Sequence, residues 1–454
     1  MINLDEIKNL VSYAQENLEL NEKDGQYKAN RILEIMESGL EGGALEDAIY
    51  GELSLLPSQM NNRFSRICKA EGSKAATDWL YSYCVNNRYV KKAVLDKNPR
   101  FDTSNGLTVT INKAKPEFRD PKKAKEGNSV DGGYAKCVIC RENEGLGSRN
   151  KRNLRTVSIT LGGKPWFWQY SPYGYFHEHG IAVNCEHTPM HIDRQTLVNL
   201  MDFVDKFPHY FIGCNAALQR IGGSVLAHDH YQGGGEILPL HKAKIKTKIK
   251  DKKYPYVTAG ILDWPGTVIR IKSDKRNEVI DIADHIREVW EKYSNPELGI
   301  IAEDKDGVHN AISPTVIKTV RGYEMNVILR SNITSEKYPD GVFHAHPEFH
   351  SIKKESIGLI EAQGLFILPG RLEEELAKVE EFIQQEKQLP SEYEQFRLVY
   401  EETKELYKSG KYGGVHGAMQ EELGSICYRI LENTAVFKEQ KHLHEFLADA
   451  GFEI

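Results

Sequence analysis

The segment Gly222-Gly-Ser-Val-Leu-Ala-His228-Asp-His230-Tyr-Gln232-Gly-Gly-Gly concentrates the groups best suited to chemistry. Residues two apart on a strand share a face, so His228, His230 and Gln232 are expected to project together. An imidazole can attack phosphorus and form a phosphoramidate that a second acceptor discharges. A neighbouring amide can hydrogen-bond the phosphate oxygens as charge redistributes. The flanking glycines would let a phosphate approach the backbone closely. An isolated His-x-His is more often a pair of satisfied polar residues or metal ligands. Gln232 and the glycines reduce the weight of that alternative.

Cys137 and Cys140 form a Cys-x-x-Cys pair, the spacing of half a tetrahedral zinc site. His187 and His228 are the candidates for the other half. A redox pair or two buried thiols would use the same spacing, but a redox pair opens a helix in a thioredoxin-like unit, and this context does not resemble one. A second triplet, His344-Ala-His346, could bind a further divalent metal with His309, and Lys353 and Lys354 after it could meet phosphate. A purely structural role accounts for this triplet equally well.

These residues need elements to hold them. Thr156–Leu161 and Trp166–Tyr170 read as a hairpin across Gly162-Gly163-Lys164-Pro165. Gly180–Asn184, Tyr210–Gly213 and Gly223–Leu226 read as strands, and so does Leu107–Asn112. Leu197, Leu200, Met201 and Val204 mark an amphipathic helix with Asp193 as N-cap. The order partly recurs. Thr267–Lys272 is a strand; Ile282, Ile286, Val289 and Tyr293 mark a helix; Val316–Val320 and Tyr323–Leu329 form a hairpin across Arg321-Gly322. Both parts place a His-x-His late, which suggests an internal duplication. The lysine run Lys242–Lys253 alternates and is expected to be an exposed edge strand or linker. Residues 1 to about 100 are expected to be helical. Leu372, Leu376, Val379 and Ile383 form a core stripe near the C-terminus.

The chain has 454 residues, 40% hydrophobic and 27% charged, with net charge −6 and pI near 6.3. That balance speaks against a dedicated nucleic-acid or membrane-surface binder. The first residues lack the basic flank and apolar run of a secretory leader, so the cytoplasm is the expected compartment. Seven cysteines, mostly isolated, do not form a disulfide framework.

Four stretches together resemble the galactose-1-phosphate uridylyltransferases (UDP-glucose–hexose-1-phosphate uridylyltransferases), in the Firmicutes-type branch of that histidine-triad-like superfamily. They are Lys136–Gly145, Gln169–Ile181, Phe207 through Gly234, and Gly341 through Glu361. The resemblance implies an α+β fold of two histidine-triad-like antiparallel-sheet halves with flanking helical segments. The expected division is a helical region 1–105, a first half 106–245, a second half 246–370 and a helical region 371–454. It implies that His230 carries the uridylyl group, with Cys137, Cys140, His187 and His228 as zinc ligands. Gln232 would hold the phosphate, with Asn215 and Ser224 nearby and Lys354 facing phosphate. His309, His344 and His346 would hold a second divalent metal such as iron or zinc; the resemblance places no carboxylate ligand for it, and Glu236 is only a candidate. The implied reaction is ping-pong transfer between UDP-hexose and hexose 1-phosphate, in an enzyme that could be a homodimer. A dinucleoside polyphosphate phosphorylase or hydrolase of the same fold, and a non-enzymatic zinc-stabilised nucleotide-binding protein, are the alternatives.

Overall fold

The computed structural model describes residues 4–114, 133–223 and 225–454. Its strands, in chain order, are β1 (Arg100–Asp102), β2 (Thr108–Asn112), β3 (Val157–Leu161), β4 (Lys164–Tyr170), β5 (Gly180–Asn184), β6 (Phe211–Gly213), β7 (His230–Gly234), β8 (Ile245–Ile249), β9 (Thr258–Leu262), β10 (Val268–Ser273), β11 (Glu303–Asp304), β12 (Gly307–Val308), β13 (Asn310–Thr319), β14 (Gly322–Ser331) and β15 (Leu365–Pro369). Ten of them form one antiparallel sheet in the order β3-β4-β5-β7-β6-β13-β14-β10-β9-β8. Followed from either edge inward, the path repeats: first strand, second, third, then fifth before fourth. A helix links the third and fourth strands each time, Arg194–Lys206 in one half and Arg276–Lys292 in the other. The expected α+β fold of two antiparallel halves is therefore present. The halves fuse into one sheet where Ile212 and Gly213 of β6 oppose Val316 and Thr315 of β13.

Period-two alternation gives the sheet two different faces. Trp166, Trp168, Ile212, Tyr231, Ile269, Val316 and Val327 are buried in the core shared with the two linking helices. The helix Arg276–Lys292 repeats apolar residues at Val279, Ala283, Ile286 and Trp290, all buried. Burying each large apolar side chain of this kind contributes about 1.5–3 kcal/mol. The Trp290 indole N–H donates to the Ala311 and Arg330 carbonyls at 2.9 and 3.0 Å, so its polar atom costs nothing. The opposite face carries buried polar residues, among them Gln169, His230, Arg270, Thr315 and Asn326.

Local signals explain several elements. Leu161 pairs with Lys164, leaving Gly162-Gly163 as a two-residue turn with φ of +56° and +75°. The Asp193 carboxylate accepts from the Thr196 N–H at 2.9 Å and starts the expected helix. The lysine run becomes the edge strand β8, whose Lys246 and Lys248 are exposed. Two expectations differ from the structure. Val225 and Leu226 lie in a loop and turn, and the strand begins only at His230. β2 forms where expected but pairs with β1 and, in parallel, with β15, in a separate three-stranded sheet.

Residues before β1 are largely helical, as expected, and among the described residues no helix is long and apolar enough to cross a membrane. Beyond β15, the helix Leu372–Gln384 buries Leu372, Leu376, Val379 and Ile383.

Two predictions arise here. A Cβ on Gly180 would lie 2.3 Å from the Trp168 ring and 2.7 Å from the Gln169 carbonyl oxygen. Gly180→Ala is expected to lose about 1–3 kcal/mol in urea unfolding through this overpacking. The second concerns Glu422, which is buried and meets Arg429 at 2.7 Å, while Arg429 also binds Glu402 at 2.5 Å. Desolvation, and then the bond to Glu402, lifts the Glu422 carboxyl to about 9. A raised acid binds its proton more tightly folded than unfolded. Its stabilising contribution is full below about pH 4.5 and is lost as pH rises toward 9. Glu422→Gln should therefore show a flatter fall in urea midpoint between pH 6 and 9 than the parent chain, and be the more stable of the two at pH 8.

Candidate active site and metal centre

β7 places the two central side chains. Tyr231 points into the helix-covered core, where its ring stacks on Trp166 at 4.7 Å and its hydroxyl accepts from Asn199 at 2.9 Å. His230 and Gln232 therefore occupy the opposite face. His230 is 5% exposed, and burial pushes its imidazole below the ordinary range, so the ring is neutral. Its Nδ1 lies 2.7 Å from the His228 carbonyl. A carbonyl only accepts, so Nδ1 carries the proton and Nε2 keeps the lone pair a nucleophile needs.

His228 precedes the strand and turns its ring elsewhere. Its Nε2 donates to the Asn184 carbonyl at 2.8 Å, which leaves Nδ1 as a ligand atom. That Nδ1 lies 3.3 Å from Cys137 Sγ and 3.5 Å from Cys140 Sγ. The sulfurs are 3.4 Å apart, and His187 Nδ1 is 3.1 Å from Cys140 Sγ. All four ligand atoms lie within 4.8 Å of one another. The set suits a metal ion. Burial lifts the Cys137 thiol to about 12, so a thiolate there requires a positive charge beside it. The Asn143 amide holds the cysteine turn by donating to the carbonyls of Cys137 and Cys140 at 2.8 and 2.9 Å. Between the two histidines, the Asp229 N–H donates to the Thr188 carbonyl at 2.8 Å and its carbonyl accepts from Asn184.

Asn215 is 2% exposed and lies against Gly223, as a Cβ there would sit 2.9 Å from its amide nitrogen. Its oxygen accepts from the Leu359 N–H at 2.8 Å, tying the glycine segment to the helix Leu359–Ala362. Ser224 lies outside the described residues. The glycines after Gln232 serve packing. A Cβ on Gly233 would meet the Phe211 carbonyl at 2.1 Å, and one on Gly234 or Gly235 would meet Glu178.

Among the described residues the second triplet does not gather a comparable group of ligand atoms. Among the described residues, the one group of three or more potential ligands is the Cys137 cluster. His346 Nε2 bonds the Val342 carbonyl and its ring stacks on Tyr338 at 4.0 Å. His344 Nδ1 lies 3.1 Å from the Ala345 carbonyl, and His309 sits between Asn332 and Asp304. Glu236 is paired with Arg100. Nor do the two triplets occupy matching places. His230 begins β7, whereas His344 follows the end of β14, the strand that corresponds to β7 in the repeated path. Lys354 is exposed; its neighbour Lys353 is the buried one, paired with Glu361 at 2.5 Å and Glu355 at 3.2 Å.

Two polar residues near the site carry no sequence signal of their own. The buried Arg330 donates Nη2 to the Ile357 carbonyl at 2.7 Å, while its Nε and Nη1 have no hydrogen-bond partner among the described residues. His179 contacts Gln232 at 3.4 Å. Both are read only from burial and hydrogen bonding.

The family model described as galactose-1-phosphate uridyl transferase, N-terminal domain, matches residues 44–189, and its C-terminal counterpart matches residues 203–395. A galactose-1-phosphate uridylyltransferase of Bifidobacterium longum is 55% identical, over 91% of this chain and 80% of its own length. The protein of that name from Ligilactobacillus salivarius is 37% identical, over 96% and 90%. A solved yeast Ap4A phosphorylase aligns with 72% of this chain and 90% of its own, at TM-score 0.35 and 11% identity, too distant to carry an argument. With both family models matched and close relatives spanning nearly the whole chain, the protein belongs to the galactose-1-phosphate uridylyltransferase family.

Proposed function

We propose that the protein transfers a uridylyl group from UDP-glucose to galactose 1-phosphate through a covalent adduct on His230. The observation that carries this reading is the His230 tautomer, with its lone pair on Nε2, beside Gln232 on the polar sheet face, in a chain of this family. In the first step the Nε2 lone pair forms an N–P bond to the α-phosphorus of UDP-glucose, and the P–O bond to glucose 1-phosphate breaks. In the second, a phosphate oxygen of galactose 1-phosphate attacks the same phosphorus, and the N–P bond breaks to release UDP-galactose. The Nδ1–H bond to the His228 carbonyl stabilises the positive charge that develops on the ring. Gln232 donates to the phosphate oxygens, with Asn215 alongside. Two steps through one group let donor and acceptor use the same pocket in turn.

Zinc is the ion proposed for the cluster, because two thiolates and two imidazoles at these separations suit a tetrahedral site. Bound there, it supplies positional chemistry, tying the Cys137–Cys140 turn to the segment that bears His230.

The test is the intact mass of the protein after mixing with UDP-glucose alone. A gain of one uridylyl group, lost when galactose 1-phosphate is added and recovered as UDP-galactose, is the expected result. Binding of UDP-glucose without any gain in mass overturns the ping-pong reading.

A further inference from the structure

An amide side chain works as a phosphate donor only when its NH2 end faces the phosphate, and the surroundings of Gln232 decide which end does. The Tyr175 backbone N–H points at His179 Nδ1 from 3.3 Å. A backbone N–H only donates, so Nδ1 holds a lone pair and the neutral ring carries its proton on Nε2. That nitrogen lies 3.4 Å from Gln232 Oε1. The amide oxygen is thereby turned toward His179, and the NH2 group is left for the side of the strand that His230 shares. Reversing the amide would set its NH2 against the imidazole N–H and its oxygen against an anionic ligand, two repulsions at once.

We propose that His179 is a positioning residue that locks the Gln232 amide with its donors toward the transferring phosphate. The inference rests on the reading of Gln232 as a phosphate donor. The imidazole is itself held firmly: it is 4% exposed, stacks on Tyr175 at 4.7 Å and 21°, and lies 4.6 Å from the Phe176 ring. Burial pushes it down to about 4, which keeps Nδ1 an acceptor at neutral pH. His179 sits just before β5, and Ile181 of that strand pairs with Gln232, so the relay is built into the sheet.

The experiment measures single-turnover adduct formation from UDP-glucose, and UDP-glucose affinity, for His179→Phe, Gln232→Ala and the double variant. The expected result for His179→Phe is a fall of about 10–100-fold in rate with affinity changed less than about 3-fold, since a donor that acts in the transition state is disturbed and not removed. The double variant should be no slower than Gln232→Ala, because two residues acting through one contact are not additive. A merely structural histidine would instead multiply its defect with that of Gln232→Ala, and that outcome, or an undiminished rate in His179→Phe, overturns the proposal. Should Phe unfold the loop, His179→Gln against His179→Met makes the same comparison. Gln presents an N–H to Gln232 Oε1 and should restore the rate, whereas Met has no donor and should not; equal rates overturn the proposal. If Gln232→Ala alone reacts at the parent rate, the role of Gln232 falls and this inference with it. A slow Gln232→Ala beside a fast His179→Phe removes only the role of His179.

Discussion

His230→Asn is expected to bind UDP-glucose within a few-fold of the parent chain yet never to gain mass. The Asn amide nitrogen can still donate to the His228 carbonyl, as Nδ1 of His230 does at 2.7 Å, so the local backbone keeps its bond. What the substitution removes is the Nε2 lone pair. Loss of a covalent nucleophile leaves only binding and electrostatic assistance, so transfer should fall by at least about 10⁴-fold. Intact mass and a coupled rate assay on one preparation make the distinction. An adduct that persists in His230→Asn would place the nucleophile elsewhere and remove the central claim.

Cys140→Ser is expected to have the next largest effect. Cys140 Sγ contacts three of the other ligand atoms, at 3.1, 3.4 and 3.5 Å. Even outer partners of a metal site are worth about 10–100-fold in affinity, so removing a ligand should cost at least about 100-fold. Purified Cys140→Ser should carry little metal by elemental analysis and melt at a lower temperature. Its adduct should also form more slowly, because the His228 whose ring joins the cluster supplies the carbonyl that fixes the His230 tautomer. Parent-like metal content together with parent-like melting would show that the cluster is not the metal site.

Much of this was legible in the residues, for definite reasons. The Gly162-Gly163 turn needs positive φ at both positions, and glycine announces it. Asp193 before an apolar stripe announces a helix start. The close spacing of Cys137 and Cys140 announces a pair that works together, and the fold gathers it with His187 and His228. The failures came where distant packing decides. Val225 and Leu226 are strand formers, but Gly222 is pressed on the Ala216 carbonyl and Gly223 on Asn215, and Val225 and Leu226 lie in a loop and turn. β2 is recognisable from its alternation, yet its partner β15 lies at the far side of the sequence. Lys353 and Lys354 are identical in type, and only the tertiary fold decides that the first is buried against Glu361. His344 and His346 repeat the spacing of His228 and His230, but among the described residues the fold does not bring them into a group of three or more metal-binding side chains.

The two halves of the sheet are each continuous in sequence, β3 to β7 and then β8 to β14, and they meet through the short contact of β6 with β13. That arrangement has a consequence for biosynthesis. All four cluster residues and His230, the proposed nucleophile, lie within the stretch from Cys137 to His230, translated before the second half begins at β8. N-terminal domains fold first during synthesis, which runs at about 5–20 residues per second, so the proposed metal cluster can gather on a nascent chain whose second half is still unmade. The Leu359 N–H, made after β14, reaches back to Asn215 only once that second half is complete.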